Sequence, residues 1–385
     1  MAQALAATAP ERRRRLRTFE PAGQALLREP GQAHPLLDLA SNDYLGLSQH
    51  PKLRTAAAAA AERDGAGAGG SRLVSGTRPV HGQLEQALAT WLGRERVLLF
   101  PSGFQANLAA VTALADRHTL VLADRLIHHS LLVGVRASGA ALRRFRHNDL
   151  DDLERRLLQA RRDDDQRRVL VISESLFSME GTSPDVEALA ALCERHDAPL
   201  LLDEAHALGV LGPGGRGLGA GHGGVALISG TFGKAFGSGG AFLACDHELG
   251  EWLLQASGAF RYTTALAPPL AAAALAALEL IEAAPDRGEA LVQRAERWRD
   301  GLAAAGWRRP TGRGPILPLL IGTDSDTLAL QERLQGEGWL ALAIRPPTVP
   351  EGTARLRLVL RHDLPGGSLK ELIKALGSPG EMSCR

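Results

Sequence analysis

From Arg96 onward the sequence alternates short apolar runs with longer stretches in which Ala and Leu recur every three to four positions. No other feature restricts the fold as much, because strand, amphipathic helix and strand in succession read as βα units around a buried, mostly parallel sheet. Candidate strands are Val97–Phe100, Thr119–Ala123, Leu142–Phe145, Val169–Ser173, Pro199–Leu202, Ala226–Ser229 and Gly240–Ala244. The periodicity predicts helices over Gln83–Leu92, Gln105–Leu114, Leu150–Ala160 and Pro184–Arg195. After Leu266 the pattern changes. Pro268 and Pro269 punctuate the chain, a helix-rich stretch follows, and short strands near Ile316–Leu320 and Arg355–Val359 bracket another amphipathic helix. The expected class is α/β, with a large domain over 46–268 and a smaller α+β domain built from an N-terminal segment, 1–45, and from 269–385.

The 385 residues suit about two domains. Lys and Arg total 44 against 43 for Asp and Glu, a formal net charge of +1, so no global field favours nucleic acid or an anionic membrane. The expected ligand is small and bound locally. Cys193, Cys245 and Cys384 form no CxxC pair and no metal-ligand spacing, which suits a reducing cytosol. Arg12 to Arg15 follow an Ala-rich stretch, the reverse of a secretory signal's order, and are expected on a solvated helix face. The apolar run Leu270–Leu278 soon meets Glu279 and Glu282, far short of the roughly 20 residues of a membrane span. It is expected to be a packed helix.

The segment SGTFGKAFGSGG places Lys234 in a turn of small residues just after a strand, at a carboxyl edge of the sheet where ligands bind in this architecture. A partly buried lysine attacks carbonyls, and Gly233, Gly237, Gly239 and Gly240 allow a flat cofactor to approach the backbone. The plain alternative is a lysine on a loop. A phosphate loop does not fit, because GxxxxGK[ST] would need Gly at Ile228 and Ser or Thr at Ala235. Asp203, in APLLLDEAHALG, ends another strand about thirty residues upstream, room for one crossover and the next strand. Two strand ends would thus offer a carboxylate and an amine to one ligand. A carboxylate facing a pyridine nitrogen keeps the ring protonated while a lysine holds an aldehyde. His206 could instead join Asp203 on a metal, although an Asp-x-x-His pair with no third ligand is weak support. In FPSGFQANLAA, Ser102, Gly103 and the following amides open a helix and form an anion site by geometry. His128 and His129 follow a strand, where one could lie flat against a ring or serve as a hydrogen-bonded structural residue.

Together the segments SNDYLGLSQHP, GGSRLVSGT with His81 following, PSGFQAN, ADRLIHHSLL, ESLFSMEG, LLDEAHALGVLG, SGTFGKAFG and AIRPPTVPEGTARLRL resemble the α-oxoamine synthase family of fold-type I pyridoxal-phosphate enzymes. They run from Ser41 to Leu358 in family order. The resemblance implies that Lys234 carries pyridoxal 5'-phosphate as a Schiff base, that Asp203 pairs with the pyridine nitrogen, that His206 contacts the phenolic oxygen and that His128 stacks on the ring. It assigns the backbone of Gly103 and Phe104, with Ser178 and Thr231, to holding the cofactor, and implies a homodimer in which Thr263 and Thr264 of the partner subunit reach the phosphate. Arg17, Asn42, Thr348 and Arg357 match substrate positions, with Arg357 placed to bind the amino-acid carboxylate as a fork. The last segment together with FRHND is closest to the branch that condenses L-alanine with a pimeloyl thioester, on coenzyme A or a carrier protein. The products there are 8-amino-7-oxononanoate, carbon dioxide and free thiol carrier, in biotin biosynthesis.

Three other readings stay open on the residues alone. Another acyl-CoA and amino-acid condensation, of the glycine C-acetyltransferase, 5-aminolevulinate synthase or serine palmitoyltransferase type, would differ only in its pockets. A cofactor-free α/β binding protein would need no lysine at that strand end. A metal-dependent hydrolase would use Asp203, Glu204 and His206, but adjacent residues of a strand point to opposite faces.

Overall fold

A computed structural model describes residues 9–379; Cys384 lies outside them. The chain forms two units, each with its own sheet system. One comprises Leu47–Ser178 and Ser183–Glu289; the other comprises the chain up to Gly46, the short stretch Met179–Thr182 and the chain from Ala290 on. The sequence places the boundary at Pro268, whereas the contacts carry it to Glu289. The helix Pro268–Ala283 buries Ala271, Ala274, Ala277, Leu278 and Ile281 and packs on the helices Pro51–Asp64 and Pro79–Leu92 of the larger unit. Ala-rich faces let helix axes approach closely, and the two prolines begin that helix instead of ending a domain.

In the larger unit seven strands line up in the order Arg96–Phe100, Ala241–Cys245, Leu227–Thr231, Leu200–Asp203, Arg168–Glu174, Thr119–Asp124 and Ala141–Phe145. Each contains or overlaps a run expected from the sequence. Ala241–Cys245 runs antiparallel to both neighbours and the other pairs are parallel, so six strands end at one edge. The central strands are buried almost throughout, which explains their continuous apolar runs. The covering helices start on side-chain caps: Ser102 accepts from Gln105 N, Asp149 from Asp152 N and Asp185 from Ala188 N. In Leu150–Asp163 the residues Leu153, Leu157 and Ala160 form the buried stripe.

The smaller unit contains a three-stranded antiparallel sheet of Ile316–Gly322, Ala354–Val359 and Leu342–Ile344, with the helix Asp324–Gly336 between its first two strands in sequence. A second sheet joins Glu20–Gly23, Leu26–Arg28, Leu36–Asp38 and Trp339–Leu340. These strands of two to four residues carry too little periodicity to be read in advance. The expected arginine-bearing helix face is absent: Pro10–Arg12 is a single 3-10 turn and 13–19 has no helix. Arg12 pairs with Asp324 at 2.9 Å and Glu351 at 2.7 Å, which holds the segment by charge instead. Among the described residues no single helix is long and apolar enough to cross a membrane.

Glu204 illustrates how the fold treats a buried carboxyl. It accepts hydrogen bonds from Ser175 Oγ and from the backbone N–H groups of Gly219 at 2.5 Å and Leu218 at 3.2 Å, and burial pushes its pKa up to about 7. An unfolded glutamate titrates near 4.3, so between about pH 4.3 and 7 the folded state binds the extra proton and stability falls as pH rises. Glu204→Gln is expected to flatten that fall by on the order of 3 kcal/mol. Thermal unfolding of both proteins at pH 5 and pH 8 checks it, and parallel Tm shifts would refute the assignment.

Candidate active site

A cavity of about 180 Å3 opens at the carboxyl edge of the large sheet, lined by residues that end its strands and begin its helices. Asp203 ends Leu200–Asp203, Glu174 ends the neighbouring Arg168–Glu174 and Thr231 ends Leu227–Thr231. The parallel register that pairs Glu174 with Asp203 therefore sets two carboxyl groups side by side. Gly103 and Phe104 open the helix Gly103–Leu114, and a side chain at Gly103 would meet Thr231 Cβ and Oγ1 at 3.7 Å. His128 is the cap residue of His129–Ser138 and also lines the cavity, as do His206, Lys234, Asn107, Ser130, Ala205, Ser229 and Gly230.

Lys234 sits on the turn that follows Thr231 and is anchored from both sides. Phe232, Ala235 and Phe236 are buried, with Phe232 and Phe236 edge to face at 5.4 Å, and the Gly237 N–H donates to the Lys234 carbonyl at 2.9 Å. Gly237 has φ +61, and any Cβ there would lie 2.4 Å from Ser48 N, so only glycine closes this turn. Asp203, 6% exposed, accepts from Asn107 Nδ2 at 2.7 Å through Oδ2 and from Ala205 N at 2.9 Å through Oδ1.

Glu174 stands beside Asp203 in the sheet. Burial, reinforced by the Asp203 charge, raises its pKa well above the usual carboxylate range and so favours the neutral acid, while its Oε1 accepts from the His128 backbone N–H. Loss of water at the cavity wall lowers the His128 pKa and is opposed by Asp203. The site thus sets two carboxyl groups, Glu174 favoured as the neutral acid, in one cavity with the Lys234 amine.

The cavity brings together seven residues expected from the sequence: Gly103, Phe104, His128, Asp203, His206, Thr231 and Lys234. Ser178, Thr263 and Thr264 do not line it; Thr264 instead forms an isolated β-bridge with Ser71. In the smaller unit Arg357 is 4% exposed and donates to Asn42 Oδ1 at 2.9 Å. Thr348 accepts from Arg14 at 2.9 Å. Arg17 is held by Glu29 at 2.9 and 2.6 Å and by Gln335 at 2.9 Å, with its guanidinium 4.9 Å above Phe19. His81 is structural, bonded to the Leu266 carbonyl at 2.8 Å and accepting from Arg78 N. In FRHND, His147 bonds Asp124 at 2.9 Å and meets Phe177 edge to face at 4.4 Å. Glu204 faces Ser175 and the 218–219 backbone, not the cavity.

Sequence reasoning missed Glu174, Asn107, Ser130 and Ser229. A signal existed for Asn107, the polar residue among the buried Ala106, Ala109, Ala110 and Val111 of its helix, since a buried amide implies partners.

The sequence matches the family described as aminotransferase class I and II over residues 34–376. It is 45% identical to 8-amino-7-oxononanoate synthase of Anaeromyxobacter dehalogenans (strain 2CP-1) over 356 residues, 91% of this chain and 88% of that protein. The same identity holds against 8-amino-7-oxononanoate synthase of Chromohalobacter salexigens over 347 residues, 89% of each. Among solved structures, serine palmitoyltransferase from S. paucimobilis with a bound PLP and myriocin adduct superposes with a TM-score of 0.89 at 27% identity, over 95% of this chain and 92% of that one. An 8-amino-7-oxononanoate synthase from Francisella tularensis superposes with a TM-score of 0.76 at 27% identity, over 90% and 98%.

Proposed function

Because the chain belongs to the aminotransferase class I and II family, we propose that it condenses L-alanine with a pimeloyl thioester, giving 8-amino-7-oxononanoate, carbon dioxide and free thiol carrier in biotin biosynthesis. The chain is a fold-type I pyridoxal-phosphate transferase. One observation carries the reading: Lys234, Asp203, His128 and the start of the helix at Gly103 all line one cavity. Their chemistry fits pyridoxal phosphate, because a lysine, a doubly hydrogen-bonded carboxylate and a helix N-terminus beside a threonine match the aldehyde, ring nitrogen and phosphate in turn.

Bound there, pyridoxal phosphate supplies an aldehyde for the amines and a ring that takes up the electron pair left when bonds to the amino acid's α carbon break. Lys234 would hold the cofactor through its amine and, once free of it, would serve as the base for the α-proton of alanine. Asp203 would keep the ring nitrogen protonated, and His206 would contact the phenolic oxygen. His128 would pack on the ring and donate to the thioester oxygen as charge grows on it. The Gly103 and Phe104 amides and Thr231, which line the cavity, would hold the cofactor there; Ser178, also expected to hold it, lies outside that lining. Arg357 and Asn42 bind the alanine carboxylate, and Thr348 and Arg17 contribute to substrate binding, Arg17 on the acyl donor.

We further propose a cytoplasmic homodimer. Exposed Leu73, Val74 and Tyr262, with exposed Phe104 on the cavity wall, support an apolar interface, and Thr263 and Thr264 of the partner subunit would complete the phosphate site. The TM-score of 0.89 favours a second reading in which serine is the amino acid, and 45% identity to the oxononanoate synthases against 27% weighs for alanine. Titrating the cofactor's visible band with L-alanine and then with pimeloyl-CoA tests the choice. Changes with both substrates support the proposal; a response to serine or glycine with another acyl-CoA moves the protein to that condensation.

Arg357→Ala is expected to raise the KM for alanine by about 30- to 1000-fold with a smaller change for the acyl donor, the loss anticipated for one arm of a desolvated charged pair. Equal changes in both KM values would remove Arg357 from the carboxylate site.

A further inference from the structure

The helix Gly103–Leu114 sends one amide into the site that touches three other elements. Asn107 is 3% exposed; its Nδ2 donates to Asp203 Oδ2 at 2.7 Å and to Ser130 Oγ at 2.9 Å, and its Oδ1 accepts from Ser229 Oγ at 2.7 Å. Both amide protons are therefore in use. Reversing the amide would set its oxygen against the Asp203 carboxylate, so the neighbours fix the orientation.

The contact with Ser130 has a consequence for His128. Ser130 Oγ lies 2.7 Å from His128 Nδ1, and the Ser130 N–H donates to the same nitrogen at 3.3 Å. Because the Ser130 backbone N–H already donates to His128 Nδ1, that nitrogen is an acceptor, and the Ser130 hydroxyl gives it its own proton while its oxygen accepts from Asn107. A ring nitrogen that receives two donors carries no proton, so the neutral imidazole holds its proton on Nε2.

We infer that Asn107 is a positioning residue that sets two groups at once: it orients the Asp203 carboxylate and, through Ser130, fixes His128 as the Nε2–H tautomer. The imidazole then meets the substrate carbonyl as a neutral hydrogen-bond donor. This rests on the roles proposed above for Asp203 and His128. A purely structural Asn107 would tie its helix to the sheet and leave the tautomer of His128 alone.

The test uses holoenzyme labelled with 15N-histidine, in which the His128 ring signals are identified by their loss in His128→Gln. The wild type is expected to show Nδ1 as an acceptor and Nε2 protonated. Ser130→Ala, which leaves the Asn107–Asp203 bond in place, is expected to admit the Nδ1–H tautomer and lower kcat about 10- to 100-fold with little change in cofactor affinity, part of the loss seen when an oxyanion donor is removed. Asn107→Ala is expected to do the same and also weaken pyridoxal phosphate binding, read by equilibrium titration. A wild-type Nδ1–H tautomer, or folded variants that lose thermal stability while keeping the wild-type ring signals and kcat, would overturn the inference. Unchanged turnover and an unchanged visible band in both His128→Gln and Lys234→Ala would instead remove the site reading beneath it.

Discussion

Lys234→Ala is expected to lower condensation by at least about 10³-fold, since the lysine is both the proposed attachment point and the proposed base, and positioned proton transfer alone contributes about 10²–10⁴-fold. The expected loss is chemical and not structural. Lys234 is only half-buried, and the turn's packing comes from Phe232, Ala235 and Phe236, with Gly237 fitted against Ser48. The variant should keep its Tm within a few degrees and still bind pyridoxal phosphate through the helix N-terminus and Asp203, without the visible band of the wild type. Single-turnover assays with alanine and pimeloyl-CoA, alongside spectra of both proteins, check this. Turnover within tenfold of wild type would end the proposed mechanism, and a collapsed Tm would show that the lysine holds the fold.

The second large effect is expected at Asp203. Asp203→Asn removes the charge proposed to keep the ring nitrogen protonated and also turns one of two acceptors into a donor. In the present arrangement Oδ2 receives Asn107 Nδ2 at 2.7 Å and Oδ1 receives Ala205 N at 2.9 Å, so the new amide must face one of these donors with its own N–H. Truncating a buried, hydrogen-bonded charge pair costs roughly 2–5 kcal/mol, which places the expected fall in kcat at about 10²- to 10³-fold. KM for alanine should move far less, because the carboxylate of alanine is assigned to Arg357. Glu174 sharpens the comparison. It stands beside Asp203 in the sheet, is favoured as the neutral acid, and cannot take over the missing charge without ionising in the same buried place. Steady-state kinetics together with the spectrum of the bound cofactor check the prediction. A variant that loses only alanine affinity would place Asp203 on substrate and not on the ring.

Seven strands, their order along the chain and the strand ends carrying Lys234 and Asp203 were legible because a strand buried on both faces must be apolar at nearly every position. That information is local. Leu200–Asp203 and Leu227–Thr231 each announce their own burial, and the Gly-rich turn beyond the second announces a close approach. The helix start at Ser102 was legible for the same reason, since a cap is read within four residues.

What decides which strand lies beside which is not local. The sequence contains no sign that Ala241–Cys245 reverses direction between Arg96–Phe100 and Leu227–Thr231, because its five buried residues would suit either direction. Nor does it say that the Pro268–Ala283 helix belongs with Pro51–Asp64, far back in the chain, since two Ala-rich faces are compatible with many partners. Arg17 and Arg14 are indistinguishable in a run of arginines until Glu29 holds one and Thr348 meets the other. The same holds at the centre of the site. Asn107, Ser130, Asp203 and Ser229 are ordinary polar residues on four separate elements, and they become one network because the sheet brings those elements to a single edge. The sequence by itself determined which positions are buried and which chemistry waits at the strand ends. Only the tertiary structure decided which polar groups meet there, because a hydrogen bond depends on distance and direction between residues that local periodicity cannot relate.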